Sequence, residues 1–364
     1  MKRRSLSILV VFGLLIAGGC LPAWATRPLS TVTIPASIDQ SGMTDVSAAF
    51  QAFLDSVPDN SVAALRPGAR YRIEQTLRIE DRKNLTIDGG GATIFATTPG
   101  NGTRSQVKVV HSQSIVITDL TVKGANPSAG MADAAFDLSK EHQHGFDIRG
   151  VVGLVLLRVA VSDTYGDFVY LGQDEERPGE RRWTSNVVIR SSRFDRNGRM
   201  GVAMTAARNV LIEQSTFNQM RRSTFDMEAH DPGFGAEYVT IRNNDIGPGR
   251  LLLVASVGTG DVDHFRFEGN RVAGILNIRM HSGDGALRTD WKILNNTARG
   301  VAGNPDGAVM TFDNIDGLEV RGNHQQVQTH RPMIGARAVD SCNVKLGGNT
   351  YPGAVSQGVV TGTC

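Results

Sequence analysis

Cysteine is scarce in this sequence: there are three in 364 residues, Cys20, Cys342 and Cys364. That excludes a disulfide-dense scaffold, and no pair of them has metal-ligand spacing. Net charge is nearly missing too, at +2. Without a basic surplus, nucleic acid is not an expected partner. No apolar run is long enough to cross a bilayer; the longest, Leu6 to Ala17, falls short of the roughly 20 residues a spanning helix needs. Helical periodicity is sparse, and the glycine-rich "DGGGA" at 88–92 opens no helix that would offer phosphate a positive terminus.

What is present begins with a leader. Lys2, Arg3 and Arg4 precede the apolar run, and "AWA" ends at Ala25, which is the layout of an export signal spanning residues 1–25. Its loss removes three positive charges and leaves 35 basic against 36 acidic residues. "AGGC" at Cys20 weakly resembles a lipoprotein lipobox, so a lipid anchor there is the alternative to free export. Both readings place the protein outside the cytoplasm, either secreted or periplasmic, or as a membrane-anchored lipoprotein. In an oxidising compartment Cys342 and Cys364 are expected to pair.

Residues 26–364 read as a single domain built on a repeat. "YVTIRNNDI" from Tyr238 returns as "HFRFEGNRV" from His264, "DWKILNNTA" from Asp290, "GLEVRGNHQ" from Gly317 and "NVKLGGNTY" from Asn343. Upstream, frames start at Asn84, Ser114, Gly153, Asn186 and Asn209, for ten copies spaced 23 to 39 residues apart. Apolar residues fill the second and fourth places, as Val239 and Ile241 do, which is the period-2 mark of a strand with one buried face. Short strands at this interval without crossover helices predict an all-β solenoid, a parallel β-helix of about ten coils with three strands per turn.

The recurring Asn244, Asn270, Asn296, Asn323 and Asn349 then stack about 4.8 Å apart as a ladder, each amide donating to one neighbour and accepting from the other. Asparagine is also expected to supply the left-handed turn there. Residues 45–56 carry Val46, Phe50, Phe53 and Leu54 at helical spacing and are predicted to be a short capping helix over the first coil. The segment 351–364 is the expected cover at the other end.

The helix followed by "LRPGARYRI", "LTIDGGGATI" and "GDFVYLG" resembles the right-handed parallel β-helix proteins of the pectin-lyase-like superfamily, over roughly residues 35–355. The resemblance implies a carbohydrate-active or glycan-binding protein whose polysaccharide or oligosaccharide partner lies along one sheet. The superfamily spans hydrolases, lyases, epimerases, tailspikes and noncatalytic adhesins. The adjacent aspartates and "GHG" of polygalacturonases, the "DPHD" of alginate epimerases and the arginine-proline signature of pectate lyases are all missing here.

Aligning a second strand per coil ("HGFDIRG", "GDFVYLG", "RMGVAMT", "STFDMEAH", "ILNIRMH", "AVMTFDN") gives two outward rows. One contains Asp147, Tyr170, Ala203 and Asp226; the other contains Arg149, Gly172, Thr205 and Glu228. Asp226 and Glu228, two apart on one face, are the candidate acid and base of a hydrolase. In a lyase, Arg199 or His230 would remove a proton beside a carboxylate held by Arg149 or Arg279. Asp167, Tyr170, Trp183 and His281 complete the candidate substrate-binding set, with the 172–183 loop as a wall and its aromatics as stacking surfaces. On the plainer reading, Arg199, Arg221 and Arg222, expected in turns, simply pair with Asp195, Asp226 and Glu228. No cofactor is required; Ca²⁺ is a possibility at "QDEE", although the ligand spacing is missing.

Overall fold

The computed structural model of the chain describes residues 30–257, 260–282, 285–300, 308–326 and 334–351. The leader with Cys20, and everything beyond residue 351 including Cys364, lie outside the described residues. Cys342 is disulfide-bonded to a partner that is likewise outside them.

Three parallel sheets of twelve, eleven and ten strands run the length of the molecule. Each of the ten inner coils contributes one strand to each, as the repeat predicts. The first coil has a helix in place of its third strand, and the last described coil contributes to the twelve-stranded sheet alone. All ten sequence copies fall in the twelve-stranded sheet, which begins earlier with Ser30–Thr33 and Ser61–Ala64. The register stacks Leu154, Val187, Val210, Val239, Phe265, Trp291 and Leu318 into one column. All of them are buried. Period-2 alternation therefore becomes a continuous apolar core, reinforced by ring stacking such as Phe194 on Phe217 at 4.7 Å.

The asparagine ladder forms as expected. Asn244, Asn270 and Asn296 each donate through Nδ2 to the next asparagine's Oδ1 at 3.0, 3.0 and 2.9 Å. Each also donates to a backbone carbonyl, of Ile212, Ile241 and Phe267 respectively. The conformational half of the expectation needs correcting. The left-handed residue is the one before the ladder asparagine, namely Asn243, Gly269, Asn295, Gly322 and Gly348. A second left-handed position falls on the first residue of every copy, from Asn84 (φ 53°) to Asn343 (φ 49°). The ladder side chain itself points inward, where its amide satisfies carbonyls that the corner leaves unpaired.

Helix α1, Ser47–Ser56, forms within the predicted cap. Phe50, Phe53 and Leu54 are buried, and Phe50 meets Tyr71 edge-on at 5.1 Å. Burying three such side chains contributes roughly 1.5–3 kcal/mol each, upper figures that take no account of compactness in the unfolded chain.

The ten-stranded sheet carries the candidate residues. Its strands, numbered within this sheet, are β1 (Leu77–Glu80), β2 (Val107–Val110), β3 (Phe146–Arg149), β4 (Val169–Gly172) and β5 (Val202–Met204). They continue as β6 (Met220–Met227), β7 (Gly249–Val257), β8 (Ile278–Ser282), β9 (Ala308–Asp313) and β10 (Ile334–Val339). Strand β7 has no counterpart among the second strands aligned from sequence, so the stack holds one more coil between β6 and β8. Arg221 and Arg222 belong to β6 itself and not to a flanking turn.

Candidate functional site

Registers from β3 to β6 pair Asp147 with Tyr170, Ala203 and Asp226 in turn, so the first outward row is as read from sequence. Phe225 and Met227 point into the core, which forces Asp226 to the outer face. Beyond it the row continues through Val254, Arg279, Thr311 and Arg337. Upstream it begins with Arg78 and Lys108, two cations the sequence reading had not placed.

At the centre three carboxylates and one guanidinium meet. Asp167, just ahead of β4, is fully buried. Its Oδ1 accepts the Met200 N–H at 3.0 Å, and its Oδ2 accepts Arg199 Nη1 at 3.0 Å. Arg199 also reaches Glu141 Oε2 through Nε at 3.2 Å and Glu228 Oε2 through Nη2 at 3.6 Å. One planar fork thus ties three different coils together, which a lysine could not do. Asp226 accepts from Ser223 Oγ at 2.6 Å through Oδ2, and its Oδ1 is buried without a hydrogen-bond partner.

Burial pushes the Asp226 carboxyl up to about 7, helped by the neighbouring charges of Glu228 and Asp167 and opposed by the Ser223 hydrogen bond and Arg199. Asp167 is also raised to about 7, burial again leading and Arg199 opposing. Near neutral pH the cluster therefore holds protons that ordinary carboxyls would have lost.

His144 forms the floor beside it. Its Nδ1 accepts the Asp167 backbone N–H at 3.1 Å, and burial, then the Arg199 and Arg149 charges, lower its pKa well below the ordinary range. Its ring stacks on Tyr170 at 5.1 Å. Tyr170 is covered further by Arg149, 4.7 Å from its centroid, and bonds Thr205 Oγ1 at 2.9 Å. The expectation that Tyr170 offers an open stacking face is corrected, because protein groups already engage its ring.

Two insertions flank the cluster. The segment 124–145, inside the longest interval between sequence copies, supplies Glu141 and is fastened by Asp133 to Arg221 at 2.6 Å and by Phe136 beneath Arg222 at 4.9 Å. The plainer reading had Arg221 and Arg222 pairing with Asp195, Asp226 and Glu228; their partners are instead on this insertion. On the other side, the 172–183 loop is stitched to the turn after β6 through Arg181 to Asp231 at 2.8 Å and Trp183 against Phe234 at 5.4 Å. Arg208 lies over the Trp183 ring at 4.2 Å, so Trp183 is a strut of that wall.

No protein-family model and no curated protein matches the chain in sequence. Solved structures do match in shape. The family 28 exopolygalacturonase of Yersinia enterocolitica aligns over 92% of this chain and 79% of its own, with TM-score 0.60 and 14% identity. The endo-xylogalacturonan hydrolase of Aspergillus tubingensis aligns over 92% and 96%, at 0.56 and 12%. The shared fold is the right-handed parallel β-helix. The Streptococcus pneumoniae surface adhesin PfbA shares it at TM-score 0.54 and 10% identity, over 88% of this chain and 93% of that one.

Within this β-helix the remaining sequence candidates divide. Asp147 and Arg149 pair with each other at 2.8 Å, and Arg149 is taken further by Glu175 at 2.9 Å. Arg279 and His281 stand two coils beyond Asp226 and Glu228, bonded to Thr311 Oγ1 at 2.7 Å and Asp313 Oδ2 at 2.9 Å. His230 is exposed on the turn past Glu228. The "QDEE" side chains diverge onto protein partners, Gln173 onto Asp231 and the two glutamates onto cations. Among the described residues no His, Cys, Asp and Glu group is arranged to hold a metal. What sequence reasoning missed was Asp167 as a member of the cluster, together with Glu141 and His144; the 39-residue interval from Ser114 to Gly153 was the available signal for the insertion.

Proposed function

We propose that this protein is an exported glycoside hydrolase acting on a polysaccharide laid along the outer face of the β1–β10 sheet. The observation that carries the reading is Asp226. It is a carboxyl on the sheet's outer face, buried and proton-retaining up to about 7, with one oxygen unpartnered, beside a second carboxylate two residues on.

Asp226 is the general acid that protonates the leaving glycosidic oxygen. Glu228, tethered by Arg199, is the base that draws a proton from water. Two residues apart along the chain, with backbones about 6.6 Å apart at strand spacing, the pair can straddle a glycosidic bond with a water between them. Arg199 and Asp167 are positioning residues that fix Glu228 and the local field. Of the lyase candidates, Arg199 is committed to three carboxylates and Arg149 to Asp147 and Glu175. Arg279 stands two coils away on Thr311 and His230 is exposed on the turn past Glu228, which leaves the carboxylate pair the better supported. The leader sequence, with free export or a Cys20 anchor, puts this chemistry where polysaccharide is met.

The test is incubation with polygalacturonate, xylogalacturonan, alginate and α-1,3-glucan, with and without Ca²⁺, following reducing ends and unsaturated-uronate absorbance together. New reducing ends alone support hydrolysis, and both signals together mean elimination. Retention on a glycan without either signal would assign the protein to the binding role that the adhesin likeness also allows.

A further inference from the structure

Resting on the hydrolase reading, we infer that the 173–183 loop is a fixed strap that blocks the N-terminal half of the groove, so that the protein cuts near chain ends and not at random. The loop does more than stand beside the cluster. It leaves β4 and runs back over β3, β2 and β1, where it engages both outward rows.

Glu175 pairs with Arg149 of β3 at 2.9 Å. Glu176 pairs with Lys108 of β2 at 2.5 Å and with Arg78 of β1 at 2.8 Å. Arg177 pairs with Glu80 of β1 at 2.9 Å and with Asp81 beyond it at 2.7 Å. Each such pair is worth little alone near the surface, and side-chain entropy discounts it further. Five on consecutive loop residues, reaching three successive strands, form a network that fixes the loop's course.

The base of the strap is closed as well. Thr184 Oγ1 donates to the Gly172 carbonyl at 2.7 Å, so the two ends meet. Asp174 is fully buried beneath it and caps the turn by accepting the Glu176 N–H at 3.0 Å. Gly150, at φ 60°, lies directly under this point: a Cβ there would sit 3.1 Å from that of Asp174. The strap rests on the coil with no layer of space between.

The consequence is directional. A pyranose repeat of about 5 Å nearly matches the coil spacing of about 4.8 Å, so a glycan along the rows meets roughly one coil per sugar. Towards the N-terminus a chain passing Asp226 crosses β5 and β4 and then meets groups already taken by the strap. Towards the C-terminus, the described outward residues on β8 to β10 include an exposed His281 and Arg337, and among the described residues none crosses them. About two sugars therefore fit on the closed side, and the polymer extends on the open one.

The test compares the wild-type protein with two variants on the panel polymer it turns over. One is Glu175→Gln/Glu176→Gln/Arg177→Gln; the other replaces residues 174–181 by a short Gly-Ser link. None of these touches the proposed acid, base or positioning residues, and thermal unfolding checks that both fold. Viscosity and reducing ends are followed together, with product sizes by chromatography. The expected result is slow viscosity loss and mono- to disaccharide products for the wild type, and half-viscosity at several-fold fewer cleaved bonds with longer products for the shortened variant. Rapid viscosity loss with the wild type, or an unchanged product pattern in the shortened variant, would overturn the strap while leaving hydrolysis intact. Absence of any new reducing ends would instead remove the hydrolase reading on which the strap's role depends.

Discussion

Ser223 Oγ donates to Asp226 Oδ2 at 2.6 Å, three residues away on the same strand, while Asp226 Oδ1 is buried facing no donor. The serine fixes the rotamer of the carboxyl, and the second oxygen is left to carry a proton. Replacing Asp226 by Asn keeps an acceptor for Ser223 and removes the transferable proton. Turnover is expected to fall by roughly 10²–10⁴-fold, the usual worth of a general acid, with far-UV circular dichroism unchanged. Wild-type activity in this variant would refute the assignment.

The same carboxyl makes stability depend on pH. Unfolded, Asp226 releases its proton near 3.8; folded, it holds it to about 7. Between those values the folded state binds more protons, so stability is fullest below about 4, declines as pH rises towards 7, and is level above. The gap corresponds to at most ~4 kcal/mol. Asp226→Asn should therefore match wild type in thermal unfolding at pH 4 and exceed it at pH 8.

Catalysis should follow the same proton from the other side. As the proposed acid, Asp226 must be protonated, so the rate is expected to fall as pH passes about 7. Arg199 acts on Asp226 in the opposite direction to burial. Arg199→Gln loses both the three-way fork and the positive charge, and should shift the basic limb of kcat/KM to higher pH as well as reduce kcat. A purely structural role would lower activity and leave the limb in place.

His144 is held neutral by burial and by the surrounding cations, Arg199 first among them. In a histidine-selective NMR titration its ring should stay neutral to a pH well below that at which an ordinary histidine takes up a proton. Protonation in the ordinary histidine range would mean the floor of the site is open to water.

Along the ladder, Asn270→Ala removes donors to Ile241 O and Asn296 Oδ1 and takes the acceptor from the Asn244 backbone N–H and from one of its two side-chain hydrogen bonds. At roughly 1–3 kcal/mol per orphaned buried group, several kcal/mol of stability should be lost. Urea unfolding is the measurement, and a loss below about 1 kcal/mol would show that water replaces the ladder.

How far the sequence reaches is shown by neighbouring residues. Asp226 and Glu228 were legible because strand alternation is local: inward Phe225 and Met227 leave no other face for them. Asp167 was legible as a polar residue at a loop, yet its place in the cluster depends on Arg199, 32 residues on, and on Glu141 in an insertion with no repeat frame. Likewise the strap could be seen as an interruption, but its direction is set by Arg78 and Lys108, on coils it touches only after folding. Periodicity specifies the stack, while ion pairs across insertions are written in no local pattern.

The buried asparagine column makes the coils interchangeable. Asn244 bonds to Asn270 as Asn270 does to Asn296, with the same atoms at 3.0 Å in both steps. Excising the 26 residues from Asn270 to Asn295 would present Asn244 with an identical partner. A tower whose storeys join through one repeated peg can gain or lose a storey without redrawing the joint, so the reach of the ten-stranded sheet's outer face on the C-terminal half is adjustable in steps of about 4.8 Å.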